Sequence, residues 1–169
     1  VYKERQRLGA ALCHPTLDLL KKNGHSLNNA VLSYVPNTSE IAFYGLVKEF
    51  NVIVDRMQKE AVEEVLAQNT PEAIQKVKEM MELRVRVEKV VHKDAKMRTF
   101  IQEDSSRESL TVHAYDLHYG TVEPNKDVLV ALDDSIVRGN TLKNNILTTL
   151  DRLQPSRIIV VSSAPQIRY

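Results

Sequence analysis

The stretch from Asp127 to Leu132 is an almost unbroken apolar run, and it ends in two adjacent carboxylates, Asp133 and Asp134. A strand covered on one face alternates apolar and polar residues, whereas one covered on both faces is apolar throughout, as in the middle of a parallel sheet. The residues from about Thr141 to Leu153 read as a helix, and "RIIVVSS" from Arg157 reads as a further strand. Together they form a strand–helix–strand unit, so the chain is expected to be α/β, with a central, mainly parallel sheet flanked by helices.

The acidic pair gives this unit its chemistry. Ligands of open parallel sheets bind beyond the carboxyl ends of the strands. The loop "SIVRGNT" leads directly into a helix N-terminus, where unpaired amides and the positive end of the helix dipole favour an anion. Gly139 lets the backbone approach a ligand, and Ser135 and Thr141 add hydroxyls. A phosphate suits that loop, but the two carboxylates would repel it. They suit ribose hydroxyls, a Mg²⁺ ion, or both. The competing reading is a strand-end turn with a helix cap. The apolar strand before the pair and the Arg-Gly-x-Thr helix entry after it favour a cradle for a sugar phosphate.

Elsewhere, residues 2–22 read as an amphipathic helix interrupted near Pro15, with Gly24 ending it. "AVLSYV" reads as a short buried strand and "PNTSE" as a loop, with Thr38 or Ser39 capping a helix that runs to about Phe50. From Asp55 to Leu83, two apolar faces separated by "NTPE" predict a helical hairpin, with Asn69 or Thr70 as cap and Pro71 in the first turn. It is read as a structural insertion in preference to a partner-binding surface. "RVRVEKVV" (84–91) predicts a strand, residues 92–109 a polar loop, and "LTVHAYDL" a short strand.

With 169 residues, 43% of them hydrophobic, the chain is large enough for one domain with its own core. The formal net charge of +1 gives no electrostatic reason to expect nucleic acid or membrane as a partner. No apolar run approaches a membrane span and no signal peptide opens the chain, which favours the cytoplasm. Cys13 is the one cysteine and lies in an apolar helical setting, so it reads as a core residue. Alone it supplies neither a disulfide nor a four-cysteine cluster. His14, His25, His92, His113 and His118 lack metal-ligand spacing. The start at Val1 inside a helix and the stop at Tyr169 after a strand read as a piece of a longer polypeptide.

"LDDSIVRGNT" resembles the phosphoribosyl pyrophosphate (PRPP) motif of type I phosphoribosyltransferases, and "DDSIVRG" is most similar to the amidophosphoribosyltransferases among them. "YVPNTSEIAFYG" resembles the family's strand and pyrophosphate loop, "MRTFI" its flexible catalytic loop, and "VSSAPQIRY" the segment after its next strand. The likeness spans roughly Tyr2 to Tyr169, with the four motifs in order, and the hairpin at 55–83 has no counterpart in better-known members. It implies a phosphoribosyltransferase domain covering residues 1–169.

The resemblance also implies roles. Asp133 and Asp134 would hold the ribose hydroxyls and Mg²⁺. Ser135, Ile136, Val137, Arg138, Gly139, Asn140 and Thr141 would bind the 5-phosphate. Pro36, Asn37, Thr38 and Ser39 would face the pyrophosphate, and Arg98 would close over it, making Arg98, Asp133 and Asp134 the catalytic set. Asn140 departs from the family's usual threonine; a backbone contact survives that change, whereas a hydroxyl contact does not. The implied reaction displaces pyrophosphate from PRPP with ammonia, giving 5-phosphoribosylamine, the first step of de novo purine synthesis. In the complete family enzyme a glutaminase domain with an N-terminal cysteine supplies the ammonia. That domain is expected to be missing here, leaving at most ammonia-dependent activity, in a homo-oligomer. The alternatives are a purine-salvage phosphoribosyltransferase and a non-catalytic PRPP sensor.

Overall fold

The computed structural model describes residues 1–93, 115–136 and 146–164. Its centre is a four-stranded sheet of β1 (Ala30–Tyr34), β2 (Arg86–Val87), β5 (Val128–Asp133) and β6 (Arg157–Ser162), in the order β2–β1–β5–β6 with every pair parallel. β3 (Val91–Lys93) and β4 (Tyr115–Leu117) form a separate antiparallel pair. Val128 to Leu132 are all buried, as expected of a strand covered on both faces. Leu32, Val128, Val130 and Leu132 pack on one side with α2 (Cys13–Lys22) and α3 (Glu40–Gln68). Val31, Leu129 and Ala131 pack on the other with Ile146, with Leu150 of the helix α5 (Thr148–Asp151), and with the β3–β4 pair. This is the period-two alternation of a pleated strand used twice. No helix among the described residues is long and apolar enough to cross a membrane.

The first helical segment breaks at Leu12, after α1 (Tyr2–Ala11), and not at Pro15. Pro15 falls in the first turn of α2, where its missing N–H costs nothing. α2 ends as expected at Gly24, whose φ is +74°. The His25 N–H bonds the Leu20 carbonyl and the Gly24 N–H bonds that of Lys21, a Schellman closure.

The helix after β1 does not stop at Phe50. α3 is a single 29-residue helix, because Ile53 and Val54 continue the buried face and Asn51 bonds back to the Val47 carbonyl. β-branched residues lower helix propensity without breaking a helix. The second half of α3 and α4 (Pro71–Glu82) form the expected hairpin. Thr70 caps α4 by accepting the Ala73 N–H (3.2 Å), while Asn69 ends α3 with a φ of +46°. Gln58 bridges to the Met80 carbonyl (2.9 Å), and Lys76 pairs with Glu64.

The single strand expected over 84–91 is two. The Glu88 N–H still reaches the Leu32 carbonyl, but the Val90 N–H goes to the Ser33 hydroxyl. From Val91 the chain leaves the main sheet to pair with β4.

α1 crosses α3 at very close range. A Cβ on Gly9 would lie 1.7 Å from the Ala42 carbonyl oxygen, and one on Gly45 would lie 1.9 Å from that of Gln6. Glycine at both positions is what lets the two backbones touch. At the amino end of β5, Asp127 is fully buried and accepts two bonds from the Arg86 guanidinium (2.7 and 2.9 Å) and one from the Glu123 N–H (2.8 Å). Burial alone would raise its pKa; the Arg86 fork and the Glu123 N–H outweigh burial and hold it below the usual carboxylate value.

Candidate functional site

β1 and β5 are parallel neighbours with Tyr34 opposite Leu132, so both strands run out at the same edge of the sheet. Beyond β1 lies the loop of Pro36, Asn37, Thr38 and Ser39, and at the end of β5 lies the acidic pair. β6 arrives alongside, with Ser162 opposite Asp133.

Three loops therefore meet at the carboxyl edge, and hydrogen bonds tie them together. The Ser163 N–H bonds the Asp133 carbonyl (3.0 Å) and the Ala164 N–H bonds that of Asp134 (2.9 Å). The Ser163 hydroxyl also reaches the Asp134 carbonyl (3.3 Å). The backbone of both acids is thus held from the β6 side. From the β1 side, the Thr38 hydroxyl donates to Asp134 Oδ2 at 2.5 Å. Asp133 Oδ1 accepts the Asp134 N–H (2.8 Å), and the exposed Ser135 hydroxyl is 3.5 Å from Asp134 Oδ1.

Burial of Asp133, reinforced by the adjacent Asp134 charge, raises its pKa despite the Asp134 N–H. A half-buried carboxylate beside another carboxylate is an unfavourable arrangement until a cation or a hydroxyl donor arrives. Tyr115 of β4 belongs to the same neighbourhood. Its phenol pKa is raised by burial and then by the charges of Asp133 and Asp134. No local pattern in the sequence connects Tyr115 to residues near 133, because β4 reaches the site only through tertiary packing.

Ser39 occupies the N-cap position of α3, but its hydroxyl does not cap; it donates to the Val35 carbonyl. Neither expected hydroxyl therefore caps the helix, since Thr38 is committed to Asp134. The Pro36–Asn37 peptide is cis. Behind the loop, Glu40 Oε1 accepts hydrogen bonds from both the Tyr34 (3.1 Å) and Tyr44 (2.9 Å) hydroxyls. Burial and the Glu40 contact push the Tyr34 phenol up to about 12. The loop thus rests on a fixed polar base.

The structure brings together Asp133, Asp134, Ser135, Thr38 and Ser39, with Pro36, Asn37 and Ile136 on the same loops. Arg98, Val137, Arg138, Gly139, Asn140 and Thr141 lie outside the described residues. Cys13 is buried away from this edge, and burial, then the Glu49 charge, pushes its thiol up to about 12. Such a thiol is inert at neutral pH.

The whole chain is similar to a solved structure described as the allosteric regulatory enzyme of purine biosynthesis. The TM-score is 0.54 and the identity 23%, over 99% of this chain and 27% of that one. At this identity the likeness is one of fold. The α/β architecture, with its mostly parallel sheet flanked by helices, is consistent with the type I phosphoribosyltransferase fold. The chain spans only about a quarter of the length of that neighbour. No protein-family model and no curated protein matches the sequence.

The acidic pair offers hard carboxylate oxygens, the donor type that Mg²⁺ takes. Mg²⁺ typically takes one or two carboxylates and fills its shell with water and substrate oxygens.

Proposed function

We propose that this chain is the phosphoribosyltransferase portion of an amidophosphoribosyltransferase, joining ammonia to the anomeric carbon of PRPP in the first step of purine biosynthesis. The observation that carries the reading is the link from Thr38 to Asp134, which sets the loop after β1 against the acidic pair at the end of β5. The order of the four sequence motifs and the fold likeness to an enzyme of purine biosynthesis support it.

In this reading Asp133 and Asp134 hold the 2- and 3-hydroxyls of the ribose, and residues 135–141 bind the 5-phosphate. Pro36 to Ser39 and the start of α3 face the pyrophosphate, where first-turn amides lack a side-chain cap. Arg98 closes over it. Mg²⁺ held at Asp133 and Asp134 would neutralise part of the pyrophosphate charge when bound.

The ammonia lone pair forms the new C–N bond as the C–O bond to pyrophosphate breaks. The electron pair of that bond leaves with pyrophosphate, and the resulting ammonium nitrogen releases a proton to solvent. The chain's own contribution is to fix the sugar between the acids and the phosphate loop and to oppose the charge that grows on the leaving group.

The test is pyrophosphate release from Mg·PRPP with ammonium, glutamine or nucleobases as acceptor. The expected result is turnover with ammonium and none with glutamine or a base. Turnover with a purine base would instead make this a salvage enzyme, and PRPP binding without turnover for any acceptor would make it a sensor.

A further inference from the structure

A cavity of about 260 Å³ opens beside Asp134, and its wall also includes Arg5 and Leu8 of α1, Thr38 and Ser163. Arg5 is thus a cation brought to the site by a helix that contributes no residue to the sequence motifs around it. Its placement follows from the glycine crossing. Gly45 of α3 touches the backbone of Gln6, the residue after Arg5, so α1 cannot slide there without a clash. α3 in turn starts directly after the Pro36–Ser39 loop.

Among the described residues the Arg5 side chain has no ion-pair or hydrogen-bond partner, although Asp134 lines the same cavity. An arginine and an aspartate that line one cavity without pairing with each other are both satisfied by a ligand that carries an anion on a divalent cation. The cation meets Asp134, and the anion's oxygens take the guanidinium fork, whose geometry matches phosphate. Thr38 places the loop already assigned to pyrophosphate on the same wall.

We propose that Arg5 is a further substrate-binding residue, holding the pyrophosphate of Mg·PRPP from the α1 side. This inference rests on the PRPP reading above. As the C–O bond breaks, negative charge grows on the pyrophosphate, so Arg5 also contributes to the chemical step and not to ground-state binding alone.

The test is calorimetric titration of the wild-type full chain, Arg5→Gln and Arg5→Lys with Mg·pyrophosphate, Mg·PRPP and ribose 5-phosphate. Arg5→Gln is expected to weaken Mg·pyrophosphate and Mg·PRPP by about tenfold or more, the scale of one lost charge-assisted contact. Ribose 5-phosphate is expected to bind as to wild type, which also shows that the variant is folded. Arg5→Lys recovers part of the loss by restoring charge without the fork. Unchanged pyrophosphate affinity in Arg5→Gln, or an equal loss for ribose 5-phosphate, overturns the role of Arg5. Wild type that ignores Mg·PRPP altogether overturns the PRPP reading, and this inference falls with it.

Discussion

Adding one methyl group to Gly45 tests the helix crossing that underlies the site. The new Cβ would sit 1.9 Å from the Gln6 carbonyl oxygen, where a carbon–oxygen contact needs about 3.3 Å. α1 and α3 would then have to separate by roughly 1.4 Å at that point, the difference between those two distances. No rotamer change relieves a clash between a backbone and a Cβ. Overpacking costs of this kind run to about 3 kcal/mol, while Gly→Ala in a helix interior returns about 1 kcal/mol of propensity. The net expectation is a loss of about 2 kcal/mol. On an open helix face the same change would stabilise by about 1 kcal/mol, so the sign alone decides. The assay is urea unfolding at pH 7 of wild type, Gly45→Ala, Gly9→Ala and the double variant. Once one methyl has pushed the helices apart, the second finds room, and the double should cost less than the sum of the singles. A single variant more stable than wild type, or strict additivity, would refute the close crossing.

The pair of partly exposed Arg86 and buried Asp127 should show itself in acid. Because the folded-state pKa of Asp127 is depressed, its contribution is present above the unfolded aspartate value and is lost as pH falls through the folded one. Asp127→Asn should cost about 2 kcal/mol at pH 7, and its deficit against wild type should shrink in urea melts below about pH 4; a constant deficit down to pH 2 would contradict the assignment. At the site, Thr38→Val removes the hydroxyl that meets Asp134 and should weaken PRPP by roughly fivefold, about 1 kcal/mol. Thr38→Ser should bind as wild type does, and initial-rate measurements of KM separate the two.

Much of this site was legible because its parts are local. An apolar run followed at once by two acids can be recognised without a partner, and Gly24 and Thr70 with Pro71 end and start helices through contacts within a few residues. Elsewhere, neighbours in space decide the structure. The sequence pattern ends the helix after β1 at about Phe50, yet the core beneath Ile53 and Val54 keeps α3 helical. The valines of 84–91 gave no sign that the Ser33 hydroxyl would divert the chain into two strands. Arg86 and Asp127 are separated by 41 positions, and the contacts of Gly9 with Ala42 and of Gly45 with Gln6 likewise join residues far apart in the chain. Arg5 and Tyr115 have no local signal for the same reason, since only the folded helix and strand carry them to the acidic edge.

The most direct test of the central claim is titration of Mg·PRPP against wild type, Asp133→Asn and Asp134→Asn, with a thermal melt of each. Folding penalises the ionised Asp133 carboxylate, since its pKa is raised; its drag on stability is absent below the unfolded pKa and appears as pH rises through the folded one. Asp133→Asn should therefore melt no lower than wild type at pH 7, yet bind Mg·PRPP at least about tenfold more weakly, as expected when a charged contact is removed. Asp134→Asn should lose affinity to a similar degree. Two well-folded variants that bind Mg·PRPP as tightly as wild type would remove the acidic pair from the site and the proposed function with it.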